Sequence, residues 1–224
     1  RAAVVEPFVA ESAVGETPNP CVACNRRVRF GPLLAWARAR GAERLATGHY
    51  ARVDRDDHGR MRLLRGVDPT RDQSYVLHAL DQEQLAHVLF PVGALRKAHV
   101  RALAARLGLA VADRPESVDL CFVAEDGVGG FLERHLPDVE PPARPGPIVD
   151  RGGRVLGTHR GLPYYTLGQR RGLGIAVGEP LYVVGSDPAA RALVVGPAAA
   201  LFSATVGVRE VHWTAGAPPP EPVR

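Results

Sequence analysis

The sequence contains few cysteines, almost no lysine and no long apolar segment. Its 224 residues include three cysteines, too few for a disulfide scaffold, and the odd number is untypical of a secreted disulfide framework. No apolar run approaches the roughly 18 residues that a membrane helix requires, and residues 1–10 lack a signal-peptide pattern. We therefore expect a cytoplasmic protein that does not associate with a membrane.

The charge balance is modestly basic. Lys97 is the single lysine among 28 basic residues, against 24 acidic ones. The formal charge of +4 and pI of about 9.3 fit an anionic partner such as RNA without requiring one. A GC-rich genome is the simpler explanation of the excess of arginine over lysine. Guanidinium groups nevertheless suit phosphates and stacked bases, so the composition is compatible with RNA binding.

Helical and strand patterns alternate in the first half of the chain, which indicates an α/β fold with a parallel sheet. Residues 1–20 show no helix start, and Pro18 and Pro20 favour an extended loop over a helix. The elements predicted after them, in chain order, are a helix over 30–37 ending at Gly41, a buried strand over 44–47, hairpin strands over 51–54 and 61–64, a helix behind a capping box at Asp81 and Gln84, a helix over 100–107 ending at Gly108, and a strand over 109–112.

The second half of the chain is rich in glycine, proline and short strands. A short helix is expected over 131–136, and the five prolines between 137 and 147 indicate a linker. Strand pairs are expected on either side of the turns at 152–153 and 186–188, with a further strand region over 201–213. This half therefore predicts a small β-rich domain followed by the beginning of another.

Cys21 and Cys24 form a Cys-x-x-Cys pair, which by itself is ambiguous. Such a pair is typical of half a zinc site, of a redox dithiol, or of two unrelated thiols. Zinc would need two more ligands, and the sequence holds no second pair of this kind. Cys24 lies among polar residues, whereas Cys121, between Leu120 and Phe122, fits an inert buried thiol.

Six sequence blocks, taken together, resemble the tRNA-specific 2-thiouridylase family. Their order and spacing match the family over nearly the whole chain, which makes the resemblance far more specific than the cysteine pair alone. The blocks are Thr17–Asn25 (TPNPCVACN), Thr47–Arg52 (TGHYAR), Arg71–Tyr75 (RDQSY), Leu89–Gly93 (LFPVG), Ser117–Phe122 (SVDLCF) and Tyr165–Ile175 (YTLGQRRGLGI).

The resemblance implies a fold and an activity. It implies the C-terminal part of a doubly wound, adenine nucleotide α-hydrolase-like parallel-sheet domain over 1–122, a small β-rich central domain over 123–200 and the start of a β-barrel over 201–224. The implied reaction is ATP-dependent 2-thiolation of the wobble uridine of tRNA, with Mg²⁺ accompanying the ATP. A separate protein would donate sulfur as a persulfide.

The resemblance also implies roles for individual residues. Cys121 is similar to the family's persulfide-carrying cysteine, and Cys24 to the partner that attacks it and leaves a Cys24–Cys121 disulfide. Gly48 is similar to a nucleotide contact. The positions similar to residues that touch the target base or the tRNA are Asn19, Pro20, Cys21, His49, Arg71, Asp72 and Gln73. Without the resemblance, Gly48 and His49 would read as a turn, and Arg71 and Asp72 as a solvated ion pair.

Two departures from the family pattern leave alternatives open. Many members have aspartate at the position of Cys21, and a thiol does not replace a carboxylate as a general base. Cys21, Cys24 and Cys121 are therefore also candidates for a catalytic iron–sulfur cluster. The family's Ser-Gly-Gly-x-Asp-Ser-Ser ATP loop is absent from the sequence. We accordingly expect a partial chain that lacks ATP hydrolysis on its own, with an inactive tRNA-binding fragment as the alternative.

Overall fold

The computed structural model describes residues 1–114, 120–136, 144–208 and 210–220. The chain forms two compact units. One comprises Arg1–Pro20 and Val118–Val208, and the other Cys21–Ser117 and Arg209–Arg224. Among the described helices, none has both the length and the apolar character needed to cross a bilayer.

The first unit combines two helices with a four-stranded mixed sheet. Its helices and strands are α1 (Val5–Ala13), α6 (Gly127–His135), β5 (Gly146–Asp150), β6 (Val155–His159), β7 (Tyr182–Asp187) and β8 (Ala192–Gly196), with single 3₁₀ turns at Leu162–Tyr164 and Ala198–Leu201. The strand order is β6-β5-β8-β7, in which β5 and β8 are parallel and the other two pairs antiparallel.

Two apolar clusters stabilise this unit. Ile148, Leu193 and Val195, which are fully buried, form the centre of the cluster on the sheet. A second cluster joins the two helices through Phe8 and Phe131, and the ring of Phe8 also lies edge-on at 5.6 Å from that of Phe122, which precedes α6. Rings in edge-on contact at this distance add to the apolar burial. The strand pairs expected around the two turns are therefore confirmed, as is the helix near Phe131.

The second unit contains the remaining elements. They are α2 (Pro20–Cys24), a π-type helical segment (Asn25–Leu33) kinked at Gly31, α3 (Leu34–Arg38), β1 (Leu45–Ala46), β2 (Ala51–Arg55), β3 (Met61–Arg65), a 3₁₀ turn (Ser74–Val76), α4 (Gln82–Ala86), β4 (Val88–Leu89) and α5 (Lys97–Arg106). Strands β1 and β4 pair in parallel, and β2 and β3 form the expected antiparallel hairpin. The α/β class with parallel strands is thus confirmed.

The sequence also predicted the ends of two helices in this unit. The Asp81 carboxylate accepts the Gln84 amide proton at 2.8 Å, and the Gln84 side chain accepts that of Asp81 at 3.0 Å, so the capping box is confirmed. Gly108 ends α5 with a φ of +67°, a conformation that glycine adopts without strain. The apolar face of α5, however, contains no buried residue.

Several predicted elements are wrong. Residues 1–20 include helix α1, which begins without a side-chain cap, and Pro20 starts helix α2 because proline is tolerated in a first turn. Residues 109–112 form turns, in which Leu109 and Val111 are exposed and pair with no strand among the residues described.

Other elements of the second half differ in extent from their predictions. The expected strand region over 201–213 contains no strand in its described residues, 201–208 and 210–213. In the expected linker, residues 137–143 lie outside the described part of the chain, and Pro147 belongs to β5. The strand expected over 44–47 is confirmed as β1, but it is only half-buried. The division into three domains stays a prediction.

Candidate active site

Gly48, just after the carboxyl end of β1, has free space at the position where a side chain would lie. The Thr47 amide extends the pairing with β4 by donating to the Leu89 carbonyl at 3.0 Å, and Gly48 follows it, exposed. A Cβ built on Gly48 would meet no atom within 4 Å. Ligands of open α/β sheets bind outside the carboxyl ends of the strands. Gly48 therefore occupies a position where a ligand could approach the backbone closely.

His49, the next residue, is buried and held at both ring nitrogens. Its Nε2 lies 3.3 Å from Nη1 of Arg29, and its Nδ1 lies 2.8 Å from Oγ1 of Thr47. A guanidinium only donates hydrogen bonds, so Nε2 must accept and Nδ1 must carry the proton that Thr47 accepts. The rings of Phe30 and Phe90 lie 6.0 and 5.9 Å away. His49 is thus fixed in one tautomer.

Burial is the main cause that lowers the pKa of His49 to about 4, and the positive charge of Arg29 adds to the effect. The imidazole is therefore neutral at pH 7. This state is consistent with the geometry, because a protonated ring would face the Arg29 guanidinium at hydrogen-bond distance.

The low pKa of His49 predicts a loss of stability in mild acid. In the unfolded chain His49 becomes protonated below about pH 6.5, whereas in the folded chain it stays neutral down to about pH 4. The free energy of unfolding should therefore fall as the pH drops through this window, by up to about 3 kcal/mol from His49. Urea titrations at pH 7 and pH 4 measure the difference, and the fluorescence of Trp36 and Trp213 reports on the unit that contains His49.

The matched control for this prediction is a pair of histidine substitutions. His49→Gln should remove most of the acid-dependent loss seen by tryptophan fluorescence. His159→Gln, in the other unit, removes a histidine whose pKa is also lowered by burial but should leave that signal unchanged. Equal acid sensitivity in wild type and His49→Gln would contradict the assignment.

Arg29 connects His49 to the start of the helical segment that follows Cys24. Its Nη1 donates to Oδ1 of Asn25 at 3.0 Å, and the Nδ2 of buried Asn25 donates to the Val76 carbonyl at 3.1 Å. The backbone just after Cys24 is thereby tied to the carboxyl end of β1. Sequence reasoning missed Arg29 and Asn25 as site residues, although their spacing of four on a helix was a usable signal.

Two of the predicted site cysteines lie on helix α2. Cys21 is exposed and Cys24 half-buried, and a spacing of three puts both on one helix face. Asn19, directly before the helix, is exposed, whereas Pro20 is buried in its first turn. Asn19 and Cys21 therefore present an exposed edge one turn from Cys24.

Cys121 belongs to the other unit and is exposed, so the expectation of an inert buried thiol is wrong. Its neighbours Leu120 and Phe122 pack into an apolar cluster and leave the thiol at the surface. Cys24 and Cys121 are both free. In the part of the chain that the structure describes, no three His, Cys, Asp or Glu side chains lie close enough together to hold a metal ion.

Residues Arg71–Gln73 form an ordered loop that is hydrogen-bonded to Tyr50, the residue that follows His49. Gln73 exchanges two hydrogen bonds with Tyr50, its Oε1 accepting from the Tyr50 amide at 3.0 Å and its own amide donating to the Tyr50 carbonyl at 2.9 Å. Asp72 accepts from the Gly66 amide at 2.9 Å and the Ser74 hydroxyl at 2.8 Å. These two side chains shape the loop, and Arg71 is exposed on it.

The electrostatics of this loop favour a charged Asp72. Burial raises its pKa, but the hydrogen bonds from Gly66 and Ser74 outweigh burial, so the net pKa is lowered. Asp68, which sequence reasoning missed, is buried close by and accepts from the Lys97 amide at 3.0 Å and from Thr70. Its carboxylate fixes the start of α5 to the same loop.

Two family models match this chain. The first, described as the tRNA methyl transferase HUP domain, covers residues 1–125, and the second, the tRNA methyl transferase PRC-barrel domain, covers residues 129–197. Together they match most of the chain and follow the α/β-then-β order of its elements.

Similar proteins carry one common name, tRNA-specific 2-thiouridylase MnmA. The protein of Chloroflexus aurantiacus is 51% identical over 99% of this chain and 61% of its own length. That of Roseiflexus castenholzii is 48% identical over 99% of this chain and 63% of its own length, and that of Moorella thermoacetica is 52% identical over 86% and 54%. The chain thus spans about three fifths of the length of these relatives. The chain belongs to the tRNA-specific 2-thiouridylase family.

Proposed function

We propose that the protein takes part in ATP-dependent 2-thiolation of the wobble uridine in tRNA. One structural observation carries the proposal. The Asn25–Arg29–His49 network ties the half-buried thiol of Cys24 and the exposed edge of α2 to the carboxyl end of β1, where Gly48 leaves the backbone open. A reaction that activates a base with a nucleotide and then delivers sulfur to it needs a thiol and a place for the nucleotide. The hydrogen-bond network connects the thiol of Cys24 to a backbone position that a nucleotide could approach.

The activation step consumes ATP. The C2 oxygen of the uridine attacks the α-phosphorus of ATP, a phosphorus–oxygen bond forms, the bond from that phosphorus to the bridging oxygen breaks, and pyrophosphate leaves. Mg²⁺, when bound, would balance the charge of the phosphates. The adenylated oxygen is then a good leaving group, whereas the original carbonyl oxygen is not. Gly48 is the proposed contact to the nucleotide, because a missing side chain lets the ligand reach the backbone.

The sulfur step uses two cysteines. A donor protein loads Cys121, the exposed thiol, with an outer sulfur atom as a persulfide. That outer sulfur bonds to C2 of the activated uridine, and AMP leaves. The Cys24 thiolate then attacks the sulfur of Cys121, the sulfur–sulfur bond breaks, and the electron pair goes to the new thiocarbonyl. The two cysteines finish as a disulfide, which an external thiol reductant must reduce before the next cycle.

The remaining site residues have proposed roles in holding the tRNA. Asn19, Pro20 and Cys21 are proposed as the stretch that meets the target base, with Asn19 and Cys21 exposed at the start of α2 and Pro20 buried between them. Arg71 offers its guanidinium to the tRNA backbone, while Asp72 and Gln73 keep the loop in shape through the hydrogen bonds described above.

His49 has a different proposed role from a direct contact. Because it is buried, we propose that it acts by positioning the Thr47–Gly48 backbone. A tRNA-modifying enzyme of this kind would work in the cytoplasm, where tRNA, ATP and thiol reductants meet.

A thiolation assay tests the proposal. The chain, in a polypeptide that also carries the family's ATP loop, is incubated with unmodified tRNA, ATP, Mg²⁺ and a persulfide-loaded sulfur donor, and the nucleosides are analysed by mass spectrometry. We expect 2-thiouridine only with ATP, and none in a tRNA whose wobble uridine is replaced by cytidine. A methylated uridine formed with S-adenosylmethionine, in place of thiolation, would contradict the proposal.

A further inference from the structure

The Tyr165–Ile175 block takes no part in the proposed chemistry, yet it forms a firmly held loop in the unit that contains the four-stranded sheet. The Gly168 amide donates to the Val183 carbonyl at 2.8 Å, and the Val183 amide donates to the Gln169 carbonyl at 2.9 Å. Leu173 is buried in the sheet cluster, against which Tyr165 and Ile175 also pack. The loop is therefore anchored at its beginning, middle and end.

The Gln169 side chain fixes the crest of this loop from inside. Its Oε1 accepts from the Thr166 amide at 3.1 Å, and its Nε2 donates to the Arg171 carbonyl at 2.9 Å. Gly168 and Gly172, on either side of the crest, have φ values of +84° and +75°, which other residues adopt only with strain. The backbone of Arg170 and Arg171 is consequently preorganised by a polar side chain and two glycines.

The two arginines on the crest are exposed and carry uncompensated charge. Within the described residues, neither Arg170 nor Arg171 forms an ion pair or a side-chain hydrogen bond. Two other arginines of the same unit are paired, Arg160 with Glu133 at 2.9 Å and Arg134 with Asp126. Two adjacent unpaired guanidinium groups on a loop held by hydrogen bonds leave two positive charges open to an anionic ligand.

We propose that the Tyr165–Ile175 loop is a binding surface for the phosphate backbone of the tRNA substrate. This inference rests on the proposed function. Guanidinium forks donate paired hydrogen bonds to phosphate oxygens, and contacts to the backbone position a nucleic acid without reading its sequence. Because the loop is already ordered, binding costs little conformational entropy. Gln169 is a positioning residue, and Arg170 and Arg171 make the contacts.

The salt dependence of tRNA binding tests this inference. The intact wild-type protein and its Arg170→Ala/Arg171→Ala variant are titrated with fluorescently labelled unmodified tRNA at several salt concentrations. The variant should bind roughly tenfold more weakly near 0.1 M salt, and the slope of log Kd against log salt should fall by about 2, since two phosphate contacts are lost. Arg170→Lys/Arg171→Lys should retain most of the slope, because the charges remain.

The matched control is Arg151→Ala/Arg154→Ala, which removes the same charge from the exposed β5–β6 turn of the same unit. An equal effect of both double variants would overturn the inference, because it would show a general charge effect. Unchanged tRNA binding combined with slower sulfur transfer from the donor protein would also overturn it and assign the loop to that protein. If wild type thiolates tRNA and the loop variant binds tRNA as tightly as wild type, the inference alone fails. If wild type binds no tRNA, the proposed function fails with it.

Discussion

Replacing Cys24 by serine should lower the rate of tRNA thiolation on the order of 1000-fold or more. The hydroxyl of serine cannot attack a sulfur atom at neutral pH as a thiolate does, so the sulfur–sulfur bond at Cys121 would stay intact. Losses of this size are typical when a nucleophile is removed from a group of residues that act together. The exchange replaces one atom of a half-buried side chain and should leave folding unchanged. Single-turnover assays with quantified 2-thiouridine measure the rate.

Two further cysteine variants serve as controls. Cys121→Ser should be as inactive as Cys24→Ser, because no persulfide forms, and the double variant should be no worse than either single one. Cys21→Ser, on the same helix one turn away, should retain thiolation within about tenfold if it contacts the base without reacting. After one turnover without reductant, peptide mass spectrometry should find a Cys24–Cys121 disulfide in wild type and in Cys21→Ser. Full activity of Cys24→Ser would reject the two-thiol mechanism.

Local sequence signals predicted much of the fold because they act within a few residues. The hairpin of Ala51–Arg55 with Met61–Arg65 follows from alternating strands around a turn, and the Asp81 cap follows from a spacing of three. The same signals failed where tertiary packing decides. Helix α1 begins at Val5 without a capping side chain and is stabilised by Phe8 in an apolar cluster. The apolar residues at 109–112 looked like a strand but pair with none of the strands in the described part of the chain.

The candidate site could be predicted only as a set of motifs. Cys24, Gly48 and Arg71 came from separate sequence blocks, and nothing in their spacing shows how they are held. Arg29 links two of the blocks through Asn25 and His49, which are four and twenty residues away from it. Likewise, the sequence gives no sign that His49 is buried or that Cys121 is exposed, because both depend on how remote segments pack.

Gly93 shows how a residue outside the site can determine its geometry, and its replacement by alanine should have the largest effect on stability. A Cβ at Gly93 would overlap the carbonyl oxygen of Ala51, which is fully buried. That carbonyl cannot move easily, because Ala51 is the first residue of β2 and is paired with Arg65. Gly93 itself is held from both sides, its amide donating to Phe90 at 3.0 Å and its carbonyl accepting from Val67 at 2.9 Å.

We expect Gly93→Ala to lower the free energy of unfolding by about 3 kcal/mol or more, since the overlap is with backbone and neither segment can give way without losing hydrogen bonds. Urea titrations followed by tryptophan fluorescence measure the change, because both tryptophans belong to this unit. Thiolation should fall too, since any shift of Ala51 moves His49, two residues before it.

Gly48→Ala is the matched control for Gly93→Ala, because it adds the same methyl group in the same unit at a position with nothing within 4 Å. Its stability should stay within about 0.5 kcal/mol of wild type. If Gly48 contacts the nucleotide, the KM for ATP should nevertheless rise, because the new Cβ occupies the space through which the ligand reaches the backbone. Equal destabilisation by the two substitutions would contradict the packing argument, and an unchanged KM in Gly48→Ala would remove Gly48 from the nucleotide site. The pair thus separates a glycine needed for folding from one proposed for binding.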